Sequence, residues 1–462
     1  MQDRMLRFAA ASLMSLGLGG AFSPGLAGAQ SPDAGAAKSP PSVLFRNVRV
    51  FDGKRTTVSG PTDVLVTGGV IARIAREVPQ AEPGSARSVV DGGGRTLMPG
   101  LIDAHWHAFM AGTPLMLLST ANPSYLHLLA ARQAEATLMQ GFTSVRDLGG
   151  PVFGLKRAID EGITPGPRIY PSGAMISQTA GHGDFRSSFE LPRRLGGPLS
   201  QSEVDGIAAI ADSPDEVRLR AREQLRLGAS QIKVMAGGGV NSPYGDIGTV
   251  QYTEAEIHAA VEAAENWGTY VTVHAYTSRA VRQAIAAGVR VIDHGQLIDE
   301  STARLMAEKG IWWSLQPLLD VEGLAPMDPA TRQRALQVFA GTENAYRLAR
   351  KYRVKTAFGA DILFNPPVAA TRHGAELVKL LRWYTPAEAL KMATADNGEL
   401  LALSGDCNPY PGRLGVVEEG ALADLLLVDG NPLEHLELIE DPDKNFLVIM
   451  KDGRIYKNAL PR

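Results

Sequence analysis

The chain has 462 residues, with 46 Lys and Arg against 49 Asp and Glu, so its formal net charge is −3. This balance offers no case for nucleic acid as a partner, and the composition is that of an ordinary globular protein. The single cysteine, Cys407, excludes an intrachain disulfide, so the fold must be stabilised without one.

The first residues predict an export signal that is removed from the mature protein. Arg4 and Arg7 precede an apolar stretch, and Ala27-Gly28-Ala29 has the small-x-small form of a signal-peptidase site. The alternative is an N-terminal helix of the domain, which the following segment rich in Ser, Pro, Gly and Ala disfavours. We therefore expect a signal peptide at 1–29, a linker at 30–41, a secreted or periplasmic protein, and no transmembrane span in its mature part.

Short, alternating and turn-rich segments at both ends of the mature chain predict antiparallel strands. They cover residues 42–90 and 415–455. Neither segment has enough apolar length to make a core alone. We therefore expect residues 42–96 and 404–462 to pair into one small β-sandwich domain built from both chain ends.

The central region, residues 97–403, alternates between continuous apolar runs and helical spacing. The predicted strands are LMPGLIDAHWH, 144–148, 168–176, QIKVMAG, YVTVHAY, RVIDHG, 311–316 and KTAFGAD. The predicted helices are 125–140, 152–161, 214–227, 253–267, 278–287, 302–309, 329–351 and 369–382, and a helical segment at 385–403 leads to the sandwich. A barrel of eight strand–helix units takes roughly 250 residues, which fits. The predicted fold class is therefore α/β, a distorted (β/α)8 TIM barrel with the small β-sandwich.

Polar side chains follow the apolar strands, at the end where a parallel barrel presents its chemistry. They are His105, His107, Lys233, His274, His294 and Asp361. Three or more neutral imidazoles with a carboxylate suit a divalent ion such as zinc. His105 and His107 are two apart on one strand, so their side chains leave the same face and can bind one ion. The alternative for each histidine is a core residue satisfied by the backbone.

Lys233 and Asp361 add chemistry to this set. A lysine in an apolar run has a lowered pKa and can then take up carbon dioxide to form a carbamate; alternatively it snorkels or pairs with an acid. His274 and His294 end neighbouring strands and can hold a second metal. Asp361 can contact one metal and take a proton from a bridging water, or it can cap the next helix.

Other residues could meet the substrate. His182, in GHGDFR after the third strand, could donate to the scissile carbonyl and stabilise an oxyanion, or could only hold its loop. Arg186 could meet a carboxylate as a bidentate donor, although a structural role is open for it too. The remaining histidines fall in helical or loop segments and are expected to be solvated: His127, His258, His373 and His435.

These fragments together resemble one superfamily. MPGLIDAHWH, the lysine of KVMAGGG, the two later histidines, Asp361 and the tail GALADLLLVDGNPL are similar to the amidohydrolase superfamily, over nearly all of the chain from Ser42 onward. The resemblance implies a metal-dependent hydrolase with two Zn²⁺ or other divalent ions bridged by carboxylated Lys233.

Two loops narrow the resemblance further. GHGDFR and GGGVNSPYGDIG resemble the branch of imidazolonepropionase-like dipeptidases and carboxypeptidase-type amidases, which includes enzymes that hydrolyse ochratoxin A. This branch implies that Tyr244 contacts the substrate, although a plain loop tyrosine is the alternative. It also implies a homo-oligomer.

The sequence thus predicts a secreted or periplasmic binuclear zinc amidohydrolase. Its small-molecule substrate would be an amide that links an acyl group to a C-terminal amino acid, such as a dipeptide, an N-acyl amino acid or ochratoxin A. Asp361 and His182 are the predicted catalytic residues, and His182, Tyr244 and Arg186 are the predicted substrate contacts. Two alternatives stay open. A mononuclear cyclic-amide hydrolase or deaminase would not need Lys233, and a non-catalytic ligand-binding barrel would not need the complete ligand set.

Overall fold

A computed structural model describes residues 41–79, 87–319 and 327–460. The predicted signal peptide, and all of the predicted linker except its last residue, lie outside these ranges. Within them, no helix combines the length and apolarity needed to cross a membrane.

The described residues form strands in both terminal regions and in the centre. The strands are β1 (Ser42–Val50), β2 (Thr62–Thr67), β3 (Val70–Ala75), β4 (Arg87–Asp91), β5 (Thr96–Pro99), β6 (Leu101–Trp106), β7 (Phe142–Asp147), β8 (Arg168–Pro171), β9 (Met175–Ser177), β10 (Ala208–Ile210), β11 (Ile232–Met235), β12 (Val271–Thr277), β13 (Val291–Leu297), β14 (Trp312–Leu315), β15 (Thr356–Phe358), β16 (Leu425–Val428), β17 (Phe446–Lys451) and β18 (Arg454–Asn458).

Helices follow the central strands, and several begin at a capping side chain. The helices are α1 (Ala108–Ala111), α2 (Leu115–Thr120), α3 (Pro123–Met139), α4 (Phe153–Asp160), α5 (Gln201–Val204), α6 (Pro214–Leu227), α7 (Glu254–Glu265), α8 (Ser278–Ala286), α9 (Glu300–Lys309), α10 (Pro329–Tyr352), α11 (Pro366–Thr371), α12 (His373–Val378), α13 (Pro386–Lys391), α14 (Asn397–Leu401) and α15 (Pro442–Asn445).

Strands from both chain ends share one sheet. Its order is β18-β17-β16-β5-β1-β2-β3, and β4 pairs with β1. The link between the two ends is the antiparallel pair β5 and β16. A buried cluster draws apolar side chains from both ends, among them Val64 and Leu427. The two ends therefore build one unit, as predicted, while the domain boundaries after residues 96 and 403 remain a prediction.

The central strands are parallel and close into a barrel. One run is β6-β7-β8, and the other is β10-β9-β11-β12-β13-β14-β15. Asn397 Nδ2 donates to Ile102 O on β6 at 2.7 Å and to Phe358 O on β15 at 2.8 Å, so one side chain ties the first strand to the last. This arrangement confirms the predicted α/β barrel fold.

Three predicted elements differ from the structure. The predicted strand LMPGLIDAHWH divides at Gly100 into β5, which joins the sheet of the chain ends, and β6, which joins the barrel. The predicted strand 168–176 divides into β8 and β9 around Gly173, whose φ is +72°. A Cβ there would lie 2.3 Å from Gln224 Oε1, so only glycine fits this bend. The predicted helix 369–382 is interrupted at Arg372, between α11 and α12. Two residues later, inside α12, Gly374 packs so closely on Ile439 that a Cβ would lie 2.3 Å from the Ile439 carbonyl oxygen.

Candidate metal centre

The structure brings all six predicted ligands to the same end of the barrel. His105 lies on β6, His107 directly follows it, and Asp361 follows β15. The other three lie on consecutive strands: Lys233 on β11, His274 on β12 and His294 on β13. Because the strands run parallel, residues more than 250 positions apart meet at one mouth.

His105, His107 and Asp361 form the tightest group, which we call the first metal group. Asp361 Oδ1 lies 3.4 Å from His105 Nε2 and 3.5 Å from His107 Nε2. One ligand atom from each of the three residues lies within 4.8 Å of the others. His107 Nδ1 lies 3.3 Å from Gly149 O, so the ring donates there and its Nε2 carries the free lone pair.

His274 and His294 form a neighbouring pair, whose ring centroids are 4.5 Å apart. The His294 ring is also 4.8 Å from the His105 ring, so the pair adjoins the first metal group. His294 Nδ1 lies 2.8 Å from Gln316 Oε1, and His274 Nε2 lies 3.0 Å from Gly238 O. Each ring therefore has one nitrogen fixed by a carbonyl oxygen and one nitrogen left over for an ion.

The four imidazoles are neutral at neutral pH, as metal ligands must be. Burial lowers the pKa of both His107 and His294 to about 3, and Lys233 nearby adds to the effect. Burial also holds the pKa of His105 and His274 well below the usual range.

Asp361 gives the clearest sign that this site fits a cation. Its Oδ1 is buried and has no hydrogen-bond partner among the described residues. Burial raises the pKa of Asp361 well above its usual range, although Lys233 acts in the opposite direction. A divalent cation beside this oxygen would satisfy both features, so the residues present fit a metal.

Lys233 is fully buried and makes an ion pair in this structure. Its Nζ lies 2.6 Å from Asp293 Oδ2, and Arg146 Nη2 lies 2.6 Å from the other oxygen of Asp293. Thr272 Oγ1 donates to the same carboxylate at 2.7 Å. Pairing with an acid was the alternative that the sequence left open, so carboxylation of Lys233 remains a prediction.

Asp293 and Tyr276 were not among the predicted site residues. Asp293 precedes His294 in the segment RVIDHG, and Tyr276 lies two residues after His274, on the same face of β12. The Tyr276 ring lies 5.0 Å from the rings of both His274 and His294. The two-residue alternation of a strand was the signal that could have identified Tyr276.

His182 lies beside the pair of His274 and His294, and its ring centroid is 4.2 Å from that of His274. Its Nδ1 is 2.7 Å from Ser242 Oγ, and that oxygen already accepts from Gly239 N. Among the described residues, His182 Nδ1 is the one acceptor for the Ser242 hydroxyl hydrogen. Burial lowers the pKa of His182 to about 4, so the neutral ring carries its proton on Nε2 and presents a donor.

The other two predicted substrate contacts are engaged with protein. Tyr244 Oη donates to Arg186 O at 2.6 Å. Arg186 donates to both carboxylate oxygens of Asp184, at 2.7 Å and 2.6 Å. The positive charge of Arg186 is therefore already paired, and contact of Tyr244 or Arg186 with substrate remains a prediction.

One expectation for the remaining histidines is wrong. His127, His258 and His435 are exposed as expected, but His373 is fully buried. Its Nε2 lies 2.5 Å from Asp103 Oδ2, and its ring stacks on Phe142 at 3.6 Å. The buried carboxylate of Asp103 and the stacking ring give His373 a structural place in the core that local helical spacing does not reveal.

Comparison with known proteins decides the family. Residues 96–456 match the sequence model described as the amidohydrolase family, which is more than half of the chain. The chain belongs to the amidohydrolase family. Members of this family generally use a divalent metal, and the first metal group offers this amidohydrolase a site for one.

Three relatives show how far the likeness extends. Ochratoxinase from Aspergillus niger is 33% identical over 392 residues, which cover 78% of this amidohydrolase and 75% of the relative. Imidazolonepropionase from Ectopseudomonas mendocina is 27% identical over 414 residues, which cover 84% and 91%. A prolidase solved in complex with N-methylphosphonate-L-proline matches with a TM-score of 0.81 at 33% identity, covering 90% of this chain and 100% of that one. These relatives support a hydrolase that acts on amide bonds.

Proposed function

We propose that this amidohydrolase cleaves the amide between an acyl group and a C-terminal amino acid, using two zinc ions bridged by carboxylated Lys233. One observation carries the proposal: six predicted ligands converge, and Asp361 Oδ1 lies near two imidazoles with no hydrogen-bond partner in the part of the chain that the structure describes. The substrate class follows the relatives, since one is an ochratoxinase and another is a prolidase.

The six residues divide naturally between two ions. His105, His107 and Asp361 would hold the first ion, and His274 and His294 would hold the second. Lys233 would supply the bridge. Burial lowers the pKa of Lys233, although Asp293 acts in the opposite direction, and a neutral amine is the form that takes up carbon dioxide.

The residues around the ions have separate tasks in hydrolysis. When bound, the ions supply Lewis-acid activation of water and of the carbonyl. Asp361 accepts the proton of the attacking water and later gives it to the leaving amine. His182 donates from Nε2 to the carbonyl oxygen as negative charge develops on it.

A substrate panel tests this function. The metal-loaded protein is incubated with dipeptides, N-acyl amino acids and ochratoxin A, and the released amino acid is measured. We expect release of a free amino acid, its loss on chelation and its return with zinc. A protein that releases no amino acid from any of these amides, yet opens a cyclic amide, would contradict the proposal.

A one-metal hydrolase of cyclic amides is the second candidate. It is favoured by the geometry of the first metal group, because only His105, His107 and Asp361 lie close enough together to count as one ligand cluster among the described residues. The relative named imidazolonepropionase gives this candidate a precedent. A metal content of one per active chain would favour it over the two-metal enzyme.

We also propose export and self-assembly. Cleavage after Ala29 would leave Gln30 as the first residue, which N-terminal sequencing of the secreted protein would detect.

The connection between β9 and β10 exposes large apolar side chains, including Phe189 at 84% and Leu195 at 72%, and exposed apolar patches mark interfaces. Light scattering that gives the mass of one chain would contradict the homo-oligomer.

A further inference from the structure

An apolar wall borders the first metal group. Three buried methionines form a separate cluster, and four half-buried apolar side chains pack against it. We call these seven residues the methionine wall: Met110, Met175, Met235, Leu118, Ile207, Leu363 and Phe364.

The methionine wall belongs to the same segments as the metal ligands. Met110 follows His107 by three residues, and Met235 lies two residues beyond Lys233, on the same face of the barrel. Met175 reaches the same place: a Cβ built on Gly149 would lie 2.6 Å from Met175 Cγ and 3.3 Å from His107 Cε1. The wall therefore adjoins the mouth where the substrate must sit.

Phe364 is held at this wall in an unusual conformation. Its φ is +57°, a left-handed value that is rare for a bulky side chain. Phe364 N donates to Met110 O at 2.9 Å, which fixes this backbone three residues after Asp361. Non-glycine residues held in this region cluster at ligand clamps and active sites.

The seven side chains of the wall are apolar, and this limits what they can bind. A carboxylate placed there would lose its hydration without a compensating partner. Polar groups instead lie on the connections after β9 and β11, where His182 and Tyr244 are found. An amide of a C-terminal amino acid carries its carboxylate on the amine side, so the apolar wall is left for the other side.

We propose that the methionine wall binds the acyl portion of the substrate, so that this enzyme selects amides whose acyl group is bulky and apolar. The inference rests on the proposed hydrolysis of amides of a C-terminal amino acid. Because methionine side chains are flexible and polarisable, the wall accepts both aliphatic and aromatic acyl groups.

The first test varies only the acyl group. One amino acid is acylated with hexanoyl, 3-phenylpropionyl, acetyl or succinyl, and kcat/KM is measured for each amide. We expect the hexanoyl and 3-phenylpropionyl amides to exceed the acetyl and succinyl amides by on the order of 10- to 100-fold, the scale for filling an apolar pocket. Equal values across the four amides would overturn the proposal.

Variants then locate the effect. Phe364→Asn removes the ring, and asparagine tolerates left-handed backbone. This variant should raise KM for the 3-phenylpropionyl amide by a larger factor than for the acetyl amide, with metal content as in the unchanged chain. Ile163→Asn is the control, because Ile163 is 75% exposed and lies outside the wall. An unchanged KM in Phe364→Asn, or an equal loss for all four amides, would contradict the assignment.

Adding a negative charge to the wall should favour a positively charged acyl group over an apolar one. Leu118→Glu places an anion at a half-buried position of the wall. It should raise kcat/KM for a 6-aminohexanoyl amide relative to the hexanoyl amide, since the new carboxylate can pair with the ammonium group. No change in this ratio would count against the wall as the acyl site.

Binding without turnover separates this proposal from the proposed function. Calorimetry compares 3-phenylpropionate with succinate on the metal-loaded protein, for the unchanged chain and for Phe364→Asn. Tighter binding of 3-phenylpropionate that is lost in the variant supports the wall even if no amide is cleaved, and then only the proposed function fails. Equal binding of the two acids overturns the wall.

Discussion

Lys233 Nζ lies 2.6 Å from Asp293 Oδ2, and both side chains are fully buried. Arg146 holds the other oxygen of Asp293 at 2.6 Å. If Lys233 becomes an anionic carbamate, Asp293 therefore keeps one cationic partner and is not left as an uncompensated buried charge. This arrangement would let Lys233 leave its ion pair to form the proposed bridge.

Replacing Lys233 tests the bridge. Lys233→Ala should lose much of the bound metal and of the activity, because the carbamate is gone. A short carboxylic acid such as acetate should restore part of both by filling the space. Elemental analysis and turnover measure the effect, with the exposed Lys309→Ala as control. Two metals and full activity in Lys233→Ala would show that the bridge does not exist.

Asp361 is the proposed proton carrier. Asp361→Asn keeps one oxygen for coordination but cannot accept a proton at neutral pH. The variant should therefore fold and bind metal while kcat falls by about 100-fold or more, the scale of general-base loss. Asp215→Asn is the matched control, since that side chain is 96% exposed. Near-normal turnover with metals bound would assign the base to another group.

His182 and Ser242 together test the proposed donor. His182→Ala should raise the barrier by about 2 to 4 kcal/mol, the range for an oxyanion donor, with metal content unchanged. Ser242→Ala should lower kcat less, because the ring stays but the hydrogen bond that fixes its tautomer is lost. Steady-state kinetics and metal analysis of both variants measure these effects. If the His182 variant loses metal in proportion to its activity, His182 is a metal ligand and not a donor.

Asn397 should matter for stability more than for chemistry. Its amide donates to two carbonyls across the barrel closure, and its Oδ1 lies 3.2 Å from Phe358 N. Asn397→Ala leaves these buried groups unpaired, so the free energy of unfolding should fall by about 2 to 5 kcal/mol. Urea unfolding measures the loss, with the exposed Asn344→Ala as control. Equal stability of the two variants would show that closure does not depend on this residue.

The sequence predicted features that depend on local patterns. Helix α6 was predicted with its observed bounds because Ser213 caps its start, Pro214 occupies its first turn and Gly228 ends it in a left-handed conformation. The meeting of the six candidate ligands at one end of the barrel was predicted because each follows an apolar run, and parallel strands bring such positions together.

Features that depend on distant contacts could not be predicted. The burial of His373 in the core depends on its contact with Asp103, which lies 270 residues away in the sequence. The bend between β8 and β9 depends on the close approach of Gln224 to Gly173. The pairing of Asp293 with both Lys233 and Arg146 likewise joins three strands. A single sequence shows that each of these residues is polar or small, but not which partner it meets.

Zinc titration of the metal-free protein tests the central claim most directly. The protein is stripped with a chelator, loaded in steps with zinc and bicarbonate, and assayed at each step on an N-acyl amino acid while bound metal is counted. The two-metal account predicts that turnover rises to a maximum at two zinc ions per chain. A maximum at one zinc ion per chain, or turnover that survives complete removal of metal, would contradict it.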